Sequence, residues 1–405
     1  MSQTTVNAPK NLIARRVASS NLQKGRTQLK AKMKEMKERG LDVVDLSGYV
    51  VEQPYGEFAS PPQKVKDLVK KAIDSGWPEP LPRGIMSFRN LIAQVEGNVI
   101  QNEVDPNKEV LVTGGGSMQA LYNAIQATVN PGDEVLMFTP GLPYDEIVRL
   151  AEGVPVFIDL RLEDGYRFDS IRIEKAVTPK TKLLIVNTPH NPSGHVLTID
   201  ELEGMADIAR RHDLVVISDE VLWNWLYDDR KHISIASLSG MKERTVVVNS
   251  LTKTGLFDWR VGWAVGPATI IDRLEKLMFW QNQFSPPLLQ IASEAHLANL
   301  SEWIKPVISE QQRKRDFVHS RLVEMGLPCF KPEGAIMTFP SIRNFTNDSV
   351  DFAGFILEHG KVFLNPGVAY LRDGHLRVGY NIGMERIKEG LERAAKAVGQ
   401  YHPNN

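Results

Sequence analysis

From about residue 108 the chain alternates short apolar runs with stretches of helical spacing. EVLVT runs into a glycine cluster. SMQALYNAIQATV follows it, with Leu121, Ala124, Ile125 and Val129 on one helix face. Pro131-Gly132-Asp133 ends that helix. EVLMFTP, VPVFIDL, KLLIVNTP, LVVISDEV, TVVVNSLTK and VGWAVGP are the further strand candidates. Apolar runs of this kind, most of them separated by helices, predict an α/β fold whose mostly parallel sheet is covered on both faces. Binding groups in such a sheet gather at the carboxyl ends of the strands. The polar and glycine-rich clusters of this sequence fall there.

After about residue 300 the pattern changes. A long helical stretch (301–326) leads to PEGAIMTFP, then VFLNPG and HLRVGYNI. This reads as a smaller α+β domain, completed by the N-terminal segment, where residues 26–40 form a basic-surfaced helix ending at Gly40. The expected division is 1–59 for an N-terminal arm and part of the small domain, 60–300 for the large domain and 301–405 for the small C-terminal domain.

Composition narrows the field without choosing a chemistry. The 405 residues are 42% hydrophobic and 24% charged with a net charge of −1, so no bulk charge invites nucleic acid or an anionic membrane. The single cysteine, Cys329, excludes an internal disulfide framework and a Cys-rich zinc site; no metal is expected. It fits a reducing compartment, and a cytoplasmic location is the expectation. No apolar run approaches the ~18 residues of a membrane span. Residues 1–33 carry Lys10, Arg15, Arg16, Lys24 and Arg26 with no acid, as a transit peptide does, but without a clear amphipathic pattern.

Five clusters carry candidate chemistry, each with a plain structural alternative. Gly114-Gly115-Gly116-Ser117 at a strand-to-helix turn suits a phosphate on a helix N-terminus, or is simply a tight turn. Asn187 to Gly194 (NTPHNPSG) makes a rigid turn after a strand. Asp219, in SDE at the end of LVVI, is a carboxylate that needs a cation or hydrogen bonds, or else caps the next helix. Lys253, in SLTK past a buried strand, is a candidate desolvated amine, or an exposed loop lysine. Arg377, inside the apolar HLRVGY, suits a planar carboxylate held by two hydrogen bonds, or a structural ion pair.

Their order and spacing are the specific signal. With NPSG, SDE, SLTK, WRVG and LRVGY in this sequence, from about Ile13 to about residue 395, the chain resembles the class I/II aminotransferases. These are pyridoxal-5′-phosphate (PLP) enzymes of fold type I, in which a seven-stranded sheet between helices carries the cofactor. The opening stretch IARRVASS…LKAKMKEMKERGLDVVDLSG belongs to the resemblance and makes the acid-free N-terminus look like the family's arm. The Lys253–Arg260 spacing is similar to the branch with valine–pyruvate aminotransferases.

The resemblance implies roles residue by residue. Lys253 matches the Schiff-base lysine that moves the substrate proton. Asp219 matches the carboxylate facing the pyridine nitrogen, and Asn191 the residue on the 3′-oxygen, with Asn187 holding the turn. The phosphate falls to the backbone of Gly116 and Ser117, the N–H of Met118, and the side chains of Ser250 and Arg260. Arg377 matches the clamp on the substrate α-carboxylate, with Gly48 as a backbone contact. The implied function is transfer of an amino group from an α-amino acid to a 2-oxo acid, in a homodimer with shared active sites.

Three positions depart from the family pattern. Leu222 replaces a tyrosine that shares the 3′-oxygen. Gly141-Leu142-Pro143 replaces a ring-stacking aromatic, with Tyr144 the nearest ring. Glu79 replaces a tyrosine lent by the neighbouring subunit, where a glutamate either receives a cationic substrate side chain or is a solvated loop residue. These changes keep a second reading open: another PLP reaction on an amino acid, by a lyase, cyclase, decarboxylase or oxidase. A non-catalytic sensor lacks a DNA-binding segment here. A dinucleotide-binding dehydrogenase lacks its G-x-G-x-x-G. Trp223, Trp225 and Tyr227 either line the cofactor pocket or pack the sheet against its helices. Trp280 and Phe284 fit the substrate mouth and core packing equally.

Overall fold

A computed structural model describes Val17 and residues 25–48, 63–254 and 259–402, without the side chain of Trp303. The expected N-terminal arm up to residue 24 lies outside the described residues, apart from Val17. Seven strands form the central sheet: β2 (Val110–Thr113), β3 (Glu134–Thr139), β4 (Val154–Asp159), β5 (Thr181–Asn187), β6 (Val215–Asp219), β7 (Thr245–Ser250) and β8 (Gly262–Val265). An earlier strand, β1 (Val44–Asp45), lies elsewhere. The order across the sheet is β2-β8-β7-β6-β5-β3-β4. Only β8 runs against its neighbours, β2 and β7; every other pairing in this sheet is parallel. This is the mostly parallel sheet that the apolar runs predict.

The two-faced burial explains why those runs are apolar rather than alternating. Val135, Met137, Leu183 and Ile185 pack on one face under the Ser117–Thr128 and Ala268–Asn282 helices. Leu136, Phe138, Leu184 and Val186, one residue out of phase, pack on the other under the Ile199–Arg211 helix. Where the sequence allows a helix after Asp219, the chain instead turns through Glu220–Asn224, so Asp219 caps no helix.

The C-terminal part holds β9 (Met337–Thr338), β10 (Val362–Phe363), β11 (Asn365–Pro366) and β12 (Leu376–Gly379). β12 lies between β11 and β9, antiparallel to both. The N-terminal segment completes this part. β1 pairs in parallel with β10, and Leu29, Met33, Val44 and Leu46 share a core with Phe352, Val362, Val378 and Leu391.

Candidate active site

The carboxyl ends of β5 and β6 set the floor of the site. Asn187 and Asp219 are register partners there. Asn187 Nδ2 donates to the Asp219 carbonyl at 2.9 Å, while its Oδ1 accepts from the Asn191 N–H at 2.7 Å. Asn187 thus holds the turn, as expected. The turn carries cis peptides at Thr188–Pro189 and Asn191–Pro192 and is closed by the Gly194 N–H donating to the His190 carbonyl at 2.7 Å.

Asp219 is 8% exposed. Burial pushes its carboxyl above the usual range, against the lowering effect of the Tyr144 hydroxyl, which donates to Oδ2, and of the Val221 N–H. Lys253, half-buried beyond β7, also lowers it through its charge. The Trp225 indole N–H donates to the Lys253 carbonyl at 3.1 Å, anchoring that loop; residues 255–258 lie outside the described residues.

The glycine turn is shaped around an arginine. Arg260 Nη2 donates to the Gly115 carbonyl at 2.8 Å, and a Cβ on Gly116 (φ +71°) would stand 2.9 Å from that nitrogen. Thr113 Oγ1 closes the turn on the Gly116 carbonyl at 2.8 Å. The helix that starts at Ser117 has no acidic residue in its first turn, which leaves its positive end open to an anion. The side chain of Met118 is exposed, so what it can offer the turn is its backbone. Ser250 lies across from Gly262 in the β7–β8 pair, and its hydroxyl pairs with that of Thr252 at 2.7 Å.

Arg377 closes the other side. It is 1% exposed, its Nη1 donates to Asn191 Oδ1 at 3.2 Å, and its Nη2 donates to the Ser47 carbonyl at 2.6 Å. Its guanidinium carbon lies 4.6 Å from the centre of the Tyr370 ring. Gly48 sits in left-handed backbone, and a Cβ there would stand 3.7 Å from Arg377 Nη2. The predicted residues therefore converge, with one exception. Glu79 is exposed on the segment before Gly84 and, among the described residues, makes no hydrogen bond or ion pair with them.

Several contacts at the site carry no local signal in the sequence: the Tyr144 hydroxyl on Asp219, the Tyr370 ring under Arg377, and Thr252 beside Ser250. Leu222, one of the three departures that raised other chemistries, is buried in a small apolar cluster with Trp225, Val307 and Ala335–Met337. Trp225 and Tyr227 are core residues, and Trp223 packs partly buried on the cluster beneath β2 and β8. Trp280 is 86% exposed, which removes it from the core of this chain, and Phe284 is half-buried. Among the described residues no group of His, Cys, Asp and Glu is arranged to hold a metal ion, and no helix is long and apolar enough to cross a membrane.

Known proteins match the chain in sequence and fold. Residues 41–394 fit the family model for aminotransferase class I and II. An aspartate aminotransferase of Pyrococcus abyssi is 38% identical over 344 residues, 83% of this chain and 88% of that protein. An aromatic-amino-acid aminotransferase of Thermococcus litoralis is 34% identical over the same shares. The solved aspartate aminotransferase of Thermus thermophilus with maleate superposes with a TM-score of 0.86 at 30% identity, covering 95% of this chain and 99% of that one. The chain belongs to the class I and II aminotransferase family, whose fold is that of type I PLP enzymes. It is an enzyme, a PLP-dependent aminotransferase acting on amino acids and 2-oxo acids.

Proposed function

We propose that this enzyme carries out amino transfer with Lys253 as its cofactor-holding lysine and catalytic base. The Lys253 charge acting on Asp219, and the run of hydrogen bonds from the Asp219 carbonyl through Asn187 and Asn191 to Arg377, together form the observation that supports the reading. When bound, PLP supplies an electron-poor ring that takes up the electron pair left at the substrate Cα. Gly116, Ser117, the Met118 N–H, Ser250 and Arg260 would hold its phosphate. Asp219, steadied by Tyr144, would keep a proton on the ring nitrogen, and Asn191 would hold the 3′-oxygen. Arg377, with Gly48, clamps the α-carboxylate and so points the Cα–H toward Lys253. Lys253 Nζ would take that proton from Cα and deliver it to C4′ of the cofactor.

The second reading, another PLP reaction on an amino acid by a lyase, cyclase, decarboxylase or oxidase, is disfavoured by relatives that are named as aminotransferases across most of the chain. The division into 1–59, 60–300 and 301–405 and a cytoplasmic location remain parts of the proposal, the latter supported by the lone Cys329.

A homodimer is also proposed. Phe279 and Trp280 pack edge to face and stand exposed, and the Gln119 side chain donates to Gln281 at 2.7 Å, which brings them beside the Ser117–Thr128 helix. An uncovered apolar patch bordering the phosphate turn suits a second copy. In that dimer Glu79 would reach the partner's substrate and favour a cationic side chain. The deciding experiment supplies single amino acids with 2-oxo acids and identifies products by mass spectrometry. A new amino acid formed in equal amount to the 2-oxo acid released supports the reading; a cyclised, eliminated or decarboxylated product overturns it. An unchanged preference between basic and neutral substrates in Glu79→Gln removes the Glu79 assignment.

A further inference from the structure

The Met86–Ile100 helix packs Phe88 and Ile92 against Val110, Val112, Val247 and Val265 of the sheet. Glu96 lies on the same buried side. A carboxyl survives in such surroundings only where hydrogen bonds compensate for lost water. Its Oε1 accepts from Trp263 Nε1 at 2.7 Å and from Asn249 Nδ2 at 3.1 Å. These two donors face each other across the β7–β8 pair, and the next pair along is Ser250 with Gly262.

Both ends of the lysine loop leave from that next pair. Ser250 leads to Lys253, and the returning chain passes Arg260 before Gly262. Asn249 Oδ1 accepts from the Ser250 N–H at 2.8 Å. A Cβ on Gly262 would lie 2.4 Å from the Ser117 nitrogen, so β8 is pressed against the start of the phosphate-side helix. One carboxylate oxygen therefore fastens two strands one residue pair below the phosphate cradle. Burial, and after it the charge of Glu220, raises the Glu96 carboxyl to about 7. A neutral or half-neutral acid can still accept both bonds.

We propose that Glu96 is a positioning residue for the cofactor site, holding Asn249 and Trp263 on one oxygen so that Ser250 and the lysine loop are set for the cofactor. It acts through Asn249 and the strand ends and is not a catalytic residue. The inference rests on the reading that Ser250, Lys253 and Arg260 hold PLP.

The test titrates PLP into the apoenzyme of wild type, Glu96→Gln, Glu96→Leu and Trp263→Phe, and follows thermal unfolding of each apoenzyme. Glutamine keeps an acceptor for both donors and stays near wild-type affinity. Leucine keeps the bulk but strands both donors, so the apoenzyme unfolds somewhat earlier than wild type and PLP affinity, measured below that unfolding, falls about tenfold or more. Wild-type affinity in Glu96→Leu, or an equal fall in Glu96→Gln, overturns the proposal. If Glu96→Leu does not fold, Trp263→Phe decides: about threefold weaker PLP binding supports the proposal and unchanged binding overturns it. A wild-type protein that binds no PLP instead overturns the reading of the site itself.

Discussion

Asp219, Asn187 and Ser250 reach the active site on adjacent strands of one sheet, whereas Arg377 reaches it from a small antiparallel sheet against which Ser47 and Gly48 must pack. The floor is fixed by a ladder of parallel pairings. The wall is fixed by contacts between the two ends of the sequence: Arg377 Nη2 to the Ser47 carbonyl, Asn365 Nδ2 to the same carbonyl at 2.8 Å, and the Gly379 N–H to the Leu46 carbonyl at 2.7 Å. A Cβ on Gly379 would lie 2.3 Å from Gly48 Cα, so the two segments meet backbone to backbone. The floor can therefore hold cofactor chemistry in place while the wall, built from distant segments, holds the substrate. Damage to each should separate in the kinetics.

The largest effect is expected on the floor. Lys253→Ala removes the base and should lower kcat by roughly 10²–10⁴-fold or more, measured as 2-oxo acid released. Activity within about tenfold of wild type would reassign the base. On the wall, Arg377→Ala removes two charge-assisted bonds to the substrate and should lower kcat/KM by about 10²–10³-fold. PLP affinity should fall far less, within about threefold, because Arg377 reaches the cofactor only through its hydrogen bond to Asn191. A matching loss of PLP would join the two regions that the comparison separates.

Smaller again is Tyr144→Phe, which tests whether the floor tunes itself. The Tyr144 hydroxyl lowers the Asp219 pKa, so its loss raises it. The carboxylate then protonates at higher pH. PLP should bind about three- to tenfold more weakly, and the acid limb of the activity profile should move to higher pH. A profile that moves toward acid contradicts the assigned direction.

The same contrast explains what could be read from the sequence. SDE and NPSG each lie at a strand end within one short segment, so text and place coincide. The alternation of Val135 and Met137 with Leu136 and Phe138 onto two apolar faces made the sheet legible as continuous apolar runs. LRVGY marked Arg377, but nothing in that segment named Ser47 as the acceptor, since the contact spans most of the chain. Tyr144 stands out in the sequence only as the ring nearest a missing aromatic, because a donor aimed at Asp219 from 75 residues away has no local signature. Glu96 was invisible for the same reason: a lone glutamate in a helix reads as a solvated face until its strand-end partners are known. Trp280, equally readable as mouth or core from its own segment, is decided only by its exposure in the fold.

Where the two regions touch, at His195, a pH dependence of stability should appear. His195 follows the floor turn, and Nε2 lies 3.0 Å from Glu201 Oε1 while Nδ1 lies 3.0 Å from Glu333 Oε2. Glu333 belongs to the C-terminal side, and its N–H donates to the Gly194 carbonyl at 2.9 Å. Burial lowers the His195 pKa, but the bonds to Glu201 and Glu333 outweigh it and the net direction is up. A histidine raised in the folded state contributes fully below its unfolded pKa, and that contribution is lost as pH climbs through the folded value. Glu201 is held at about 2, so its share is present above the ordinary carboxylate range and is lost as pH falls toward 2. The stability gap between wild type and His195→Gln, from urea unfolding, should therefore be widest near neutral-to-mildly-acid pH and narrow as the solution becomes alkaline. A gap that is constant with pH would mean that the histidine joins the floor to the wall as a neutral hydrogen-bonding group rather than as a cation.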